Sequence, residues 1–227
     1  MSPQTHPAPA MDGSPLRPEL RPRLRGVSHQ WAFFIAIPFG IALAIAASGP
    51  RATVACTIYA ITVAGLFGVS ATYHRVTWRS VETRERMRRI DHSMIFLLIA
   101  GSYTPFSVLA IGGTLGAVIL ITVWAGAVAG VVIATRYSHA PPWVTTAPYI
   151  ALGWVAVLAF PALVDHLGWG AVGLIVLSGA LYTIGGVVYA RKKPDPFPSV
   201  FGYHEVFHAL VIAAALVQYV VIAVWVL

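Results

Sequence analysis

From Ser93 to Thr135 the chain carries no charged residue. A helix needs about 20 mostly apolar residues to cross roughly 30 Å of hydrocarbon, so this run is long enough for two crossings. The paired glycines Gly112 and Gly113, followed by Thr114, divide it, because glycine pairs punctuate helices. The same measure along the whole chain predicts seven spans, at about 27–47, 53–74, 92–111, 115–137, 143–164, 168–190 and 204–227. With 58% hydrophobic and 10% charged residues and a mean hydropathy of +0.76, the apolar surface exceeds what a soluble domain of 227 residues can bury. The predicted fold is all-α: a polytopic membrane protein whose seven-helix bundle occupies residues 27–227.

The remaining residues, 1–26, hold Pro3, Pro7, Pro9, Pro15, Pro18 and Pro22 among small and polar neighbours. Such a composition buries too little apolar area to order itself, and a disordered tail is expected. The first span ends in Ala-Ile-Ala-Ala-Ser near Ser48, which loosely resembles a signal cleavage site. Its apolar run is longer than the usual signal core, so it is read as a retained span. Cys56 is the single cysteine and lies in an apolar run, which excludes a disulfide framework and makes it a small core residue. Gly126 and Gly130 form a G-x-x-x-G suited to helix packing.

The net charge of +7 raises nucleic acid as a partner, but the basic residues fall in short clusters between apolar runs, which suits a membrane surface. Of the fifteen basic residues, fourteen lie at one level: Arg17 to Arg25 before span one, Arg75 to Arg89 between spans two and three, Arg136 after span four, and Arg191 to Lys193 after span six. Only Arg51 lies on the other side. Cytoplasmic loops retain positive charge, so the amino terminus is expected in the cytoplasm and Leu227 outside it, which requires an odd number of crossings.

Polar residues gather at that cytoplasmic level. In Ser-Ala-Thr-Tyr-His-Arg, Ser70 and His74 share a helix face, being four residues apart. Asp91 stands at the predicted start of span three, and His204 and His208, one turn apart, open span seven. Each has a plain alternative. Ser70 can bond to a carbonyl one turn earlier, His74 can sit at the interface, Asp91 can cap its helix, and two of eight histidines can fall four apart by chance. Their arrival at one depth from three helices favours function, since ionisable groups at membrane depth are costly. Three imidazoles can hold zinc with one position open to water, the arrangement of a catalytic site. His6, His29, His92, His139 and His166 receive no role.

The stretch His204-Glu205-Val206-Phe207-His208 also matches the H-E-x-x-H signature of zinc proteases. Here it opens a membrane span, and Glu205 lies about 100° round the helix from His204. A role at the interface, or in support of the ligands, is expected for Glu205 instead of water activation.

Together, S-A-T-Y-H-R, R-R-I-D-H-S-M-I-F-L-L-I-A-G-S-Y-T-P-F, L-Y-T-I-G-G-V-V-Y-A and H-E-V-F-H resemble the hemolysin III proteins, the bacterial branch of the progestin and adipoQ receptor family, from about Leu24 onward. The resemblance implies seven helices with a cytoplasmic amino terminus in the bacterial plasma membrane. It also implies zinc held by His74, His204 and His208, with Ser70 and Asp91 beside it. Alkaline ceramidases, more distant relatives, use the same constellation to hydrolyse a lipid amide.

Two function classes follow. One is a zinc hydrolase of lipid amides or esters, in which Asp91 orients or deprotonates water and Ser70 donates a hydrogen bond to that water or to the developing oxyanion. The other is a non-enzymatic protein: a sensor of membrane state braced by zinc, or the cytolysin of the family name. Membrane lipids are the expected partners, nucleic acid is not, and no protein partner or oligomeric state is read from the sequence.

Overall fold

The computed structural model describes residues 22–137 and 141–227. Most of the predicted tail, His6 and His139 lie outside the described residues. The chain forms helices α1 (Val27–Ala46), α2 (Pro50–Arg75), α3 (Val81–Pro105), α4 (Gly113–Arg136), α5 (Pro142–Gly153), α6 (Phe160–Arg191) and α7 (Tyr203–Val221). Short π-helical turns follow α3 and α7, and a 3-10 segment, Trp154–Ala159, joins α5 to α6. No strand occurs among the described residues, only one isolated bridge between Phe197 and Phe201.

Large apolar side chains face outward along the helices, among them Trp31, Ile45, Ile61, Ile121 and Leu158, each at least 65% exposed. Such a surface is stable only against lipid, and the chain is a multi-pass integral membrane protein. Six helical stretches among the described residues are long and apolar enough to cross a bilayer. The count is one below the sequence expectation because residues 146–191 form one continuous stretch of 46 residues. At 1.5 Å per residue that is about 69 Å, over twice the hydrocarbon thickness.

The stretch bends where Gly168 leaves the helical region, at φ 78° and ψ 167°. Across the bend its two arms touch: the Trp154 indole donates to Thr183 Oγ1 at 3.0 Å, and Ile150 and Thr146 pack on Gly186. The expected break at Gly112 is also present, with φ 62° there and 53° at Gly113.

Helix α3 starts eleven residues before the predicted span, at residue 81 instead of 92. Ser80 caps it, accepting from the Thr83 N–H at 3.4 Å. Arg86 pairs with Glu82 and Arg88 with Glu85 at 2.7 Å, contacts one turn apart that support a polar helix. The basic segment read as a loop is therefore largely helix. Asp91 sits ten residues inside α3, which overturns its reading as a cap.

Tyrosine and serine hydroxyls tie the core together. Tyr59 donates to the Ala215 carbonyl at 3.2 Å, and Ser178 to that of Ala214 at 3.1 Å. Tyr103 serves the irregular 3-10 segment: its hydroxyl donates to the Gly153 carbonyl at 2.7 Å and accepts from the Ala156 N–H at 2.6 Å. Backbone groups freed at membrane depth need such partners. Gly126 and Gly130 receive the side chains of Leu152 and Phe96, so the G-x-x-x-G of α4 serves as two notches. Cys56 is fully buried in the core.

Candidate metal centre

Helix α2 ends, and α7 begins, with histidine. His74 comes from the last turn of α2, and His204 and His208 from the first two turns of α7. Their ligating atoms all lie within 4.8 Å of one another. The Nε2 atoms of His74 and His204 are 3.1 Å apart. Two nitrogens held about 2.0–2.1 Å from one tetrahedral ion stand about 3.3–3.4 Å apart, so this pair has the spacing of shared ligands. The Nδ1 of His208 is buried without a hydrogen-bond partner among the described residues. Three imidazoles converging in a buried corner are a donor set that fits a zinc-type cation.

Ser70 lies one turn before His74, and Asp91 of α3 stands beside it, near enough for its carboxylate to accept from the Ser70 hydroxyl. Both line a narrow cavity of about 140 Å³ that also touches His204 and His208 and continues past Leu66 and Val211 to Gln218. Gln218 is ten residues beyond His208, about 15 Å along α7. Trp154, Val157 and Val176 line the cavity and are 40–54% exposed.

Two residues given no chemistry by the sequence belong to this corner. His29 of α1 is 2% exposed and stacks on His208, with ring centroids 3.7 Å apart and planes 11° from parallel. His92 Nε2 meets the Tyr189 hydroxyl at 3.2 Å. His29 had no sequence signal beyond its place near the start of span one. Glu205 is buried, not at an exposed interface: one oxygen lies 2.7 Å from Arg25 Nε, and the other accepts from the Gly202 N–H at 2.8 Å, capping α7.

A membrane bundle with three converging histidines beside Ser70 and Asp91 defines the class: an integral membrane protein with a histidine cluster that could hold a metal ion. Comparison with known proteins narrows it. The Haemolysin-III related family model matches residues 19–219, and the chain belongs to that family. It is 30% identical over 192 residues to the Hemolysin-3 homolog of Bacillus subtilis, covering 83% of this chain and 86% of that protein. It is 29% identical over 204 residues to Hemolysin-3 of Bacillus cereus, covering 88% and 90%. A Drosophila melanogaster adiponectin receptor protein is 28% identical over 190 residues, covering 67% of this chain and 38% of the receptor.

Proposed function

We propose that this protein is a zinc-dependent hydrolase that cleaves an amide or ester bond of a membrane lipid. The observation that carries the reading is continuity: His204 and His208 of the histidine cluster, together with Ser70 and Asp91, line one largely apolar cavity. His74, His204 and His208 would hold the ion. Zinc there would supply Lewis-acid chemistry for an acyl carbonyl and for water near neutral pH.

Asp91 takes the proton of the attacking water and returns it to the leaving amine or alkoxide, so that lipid plus water gives a carboxylic acid and an amine or alcohol. Ser70, donating to Asp91, fixes the carboxylate. The apolar lining accepts an acyl chain, whose way in from the bilayer is at Trp154, Val157 and Val176, side chains that both line the cavity and are exposed.

Purified protein is expected to release fatty acid from an N-acyl lipid or lysolipid. Asp91→Asn should lower that rate about 10² to 10⁴-fold while the fold is kept, and chelation should abolish it reversibly. A broad lipid screen without zinc-dependent product, at confirmed metal occupancy, sinks the hydrolase. A lowered melting temperature on chelation would then support a zinc-braced sensor, and erythrocyte lysis without lipid cleavage would support the lytic activity that the relatives' names imply.

The same reading sets the centre near the cytoplasmic face of a seven-crossing bundle. The fold-back at Gly168 supports two crossings within residues 146–191, and the basic asymmetry supports a cytoplasmic amino terminus. A topology reporter after Leu227 should be active only in its extracytoplasmic form, and one inserted near Arg86 only in its cytoplasmic form. The reverse at either point overturns the orientation.

A further inference from the structure

We propose that residues 22–29 form a strap that completes the metal centre, and that His29 is a positioning residue holding the His208 ring in its ligating orientation. This rests on the metal-centre reading above. The strap is tied down outside the cluster, where the Arg23 N–H donates to the Ser199 carbonyl at 3.0 Å and the Leu24 N–H to that of Val200 at 3.1 Å. It then makes three contacts with the centre in five residues. Arg25 lies 2.7 Å from Glu205, between the two α7 histidines in sequence.

Gly26, at φ 75°, lies so close to α2 that a Cβ there would stand 2.6 Å from the Cβ of His74. One turn further on, His29 covers the face of His208.

His208 needs this cover because, among the described residues, its ring lacks the hydrogen bond that usually fixes a ligating histidine. The second torsion of a histidine is broad and roughly two-fold, and a ligating histidine is normally fixed by donating its other nitrogen to a carboxylate or carbonyl. The buried Nδ1 of His208 makes no such bond among the described residues. The flat face of His29, itself packed 5.1 Å from the Phe67 ring, blocks rotation instead. Glu205 supports the same device: within the H-E-x-x-H stretch it holds the strap and caps α7.

The test uses purified full-length protein loaded with cobalt(II), whose visible absorption reports ligand geometry. His29→Leu fills the space without a flat face, and His29→Phe restores the face without a nitrogen. His29→Leu should weaken cobalt affinity about 10 to 100-fold, the usual effect of losing a group that orients a ligand, and alter the spectrum. His29→Phe should recover both. The double variant Arg25→Met, Glu205→Gln removes the ion pair without leaving a lone buried charge, and should let a chelator strip cobalt several-fold faster.

Wild-type affinity and spectrum in His29→Leu, or equal damage in His29→Phe, overturns the positioning role. Stripping at the wild-type rate in the double variant overturns the strap. Wild-type protein that takes up no cobalt overturns the metal centre itself, a result distinct from both.

Discussion

Where α2 ends and α7 begins, the buried contacts are between ionisable and aromatic groups: Arg25 with Glu205, Ser70 with Asp91, and four imidazoles in mutual contact. Along the rest of the bundle the contacts are those of apolar side chains, small residues and single hydroxyls. Gly40 lies against Ala60 and Gly101 against Thr62, and Tyr219 donates to the Phe39 carbonyl at 3.2 Å near the far end of α7. Lipid is as apolar as leucine, so close packing and scattered hydrogen bonds are enough to hold helices together. The polar corner is more than packing requires, and buried groups of that kind are costly unless they serve a site. The contrast separates scaffold from chemistry.

The largest effects should come from the corner. His74→Ala, His204→Ala or His208→Ala should each take purified protein from about one zinc per chain to nearly none, by elemental analysis, because a catalytic-type site rests on three protein ligands. If Glu205→Gln emptied the centre while His74→Ala left it full, the assignment of ligands would fail. An intermediate effect is expected in the scaffold. Gly101→Ala would drive a Cβ into the Thr62 side chain, an overpacking of about 1–3 kcal/mol, lowering the thermal midpoint with zinc per chain unchanged. Loss of zinc in that variant would break the division between the two regions. The smallest effect belongs to Tyr219→Phe, which gives up one interhelical bond worth about 0.6 kcal/mol and should leave metal content unaltered.

The spans were legible because a bilayer enforces one rule over about 20 residues at a time, and a run such as 93–135 cannot evade it. Helix ends were less so. Charged residues 81–91 were read as loop because hydropathy marks where lipid stops, while the helix continues on its Ser80 cap and its ion pairs. The continuous stretch 146–191 shows the reverse difficulty, since the backbone stays helical on either side of Gly168 while its direction changes. At the centre, His204 and His208 were legible from their spacing, which a helix converts directly into a shared face, and His74 from its level.

By itself, then, the sequence determined what depends on solvent and on local periodicity: an all-helical membrane bundle and the pairs one turn apart that meet on any helix. Tertiary structure alone decided what depends on how each helix is rotated against its neighbours. It turned Ser70 toward Asp91 and Glu205 toward Arg25, and it laid His29 on His208. Rotation is set by the fit of many side chains at once, among them the notches at Gly101 and Gly130, and a sum of small packing energies leaves no motif in the sequence.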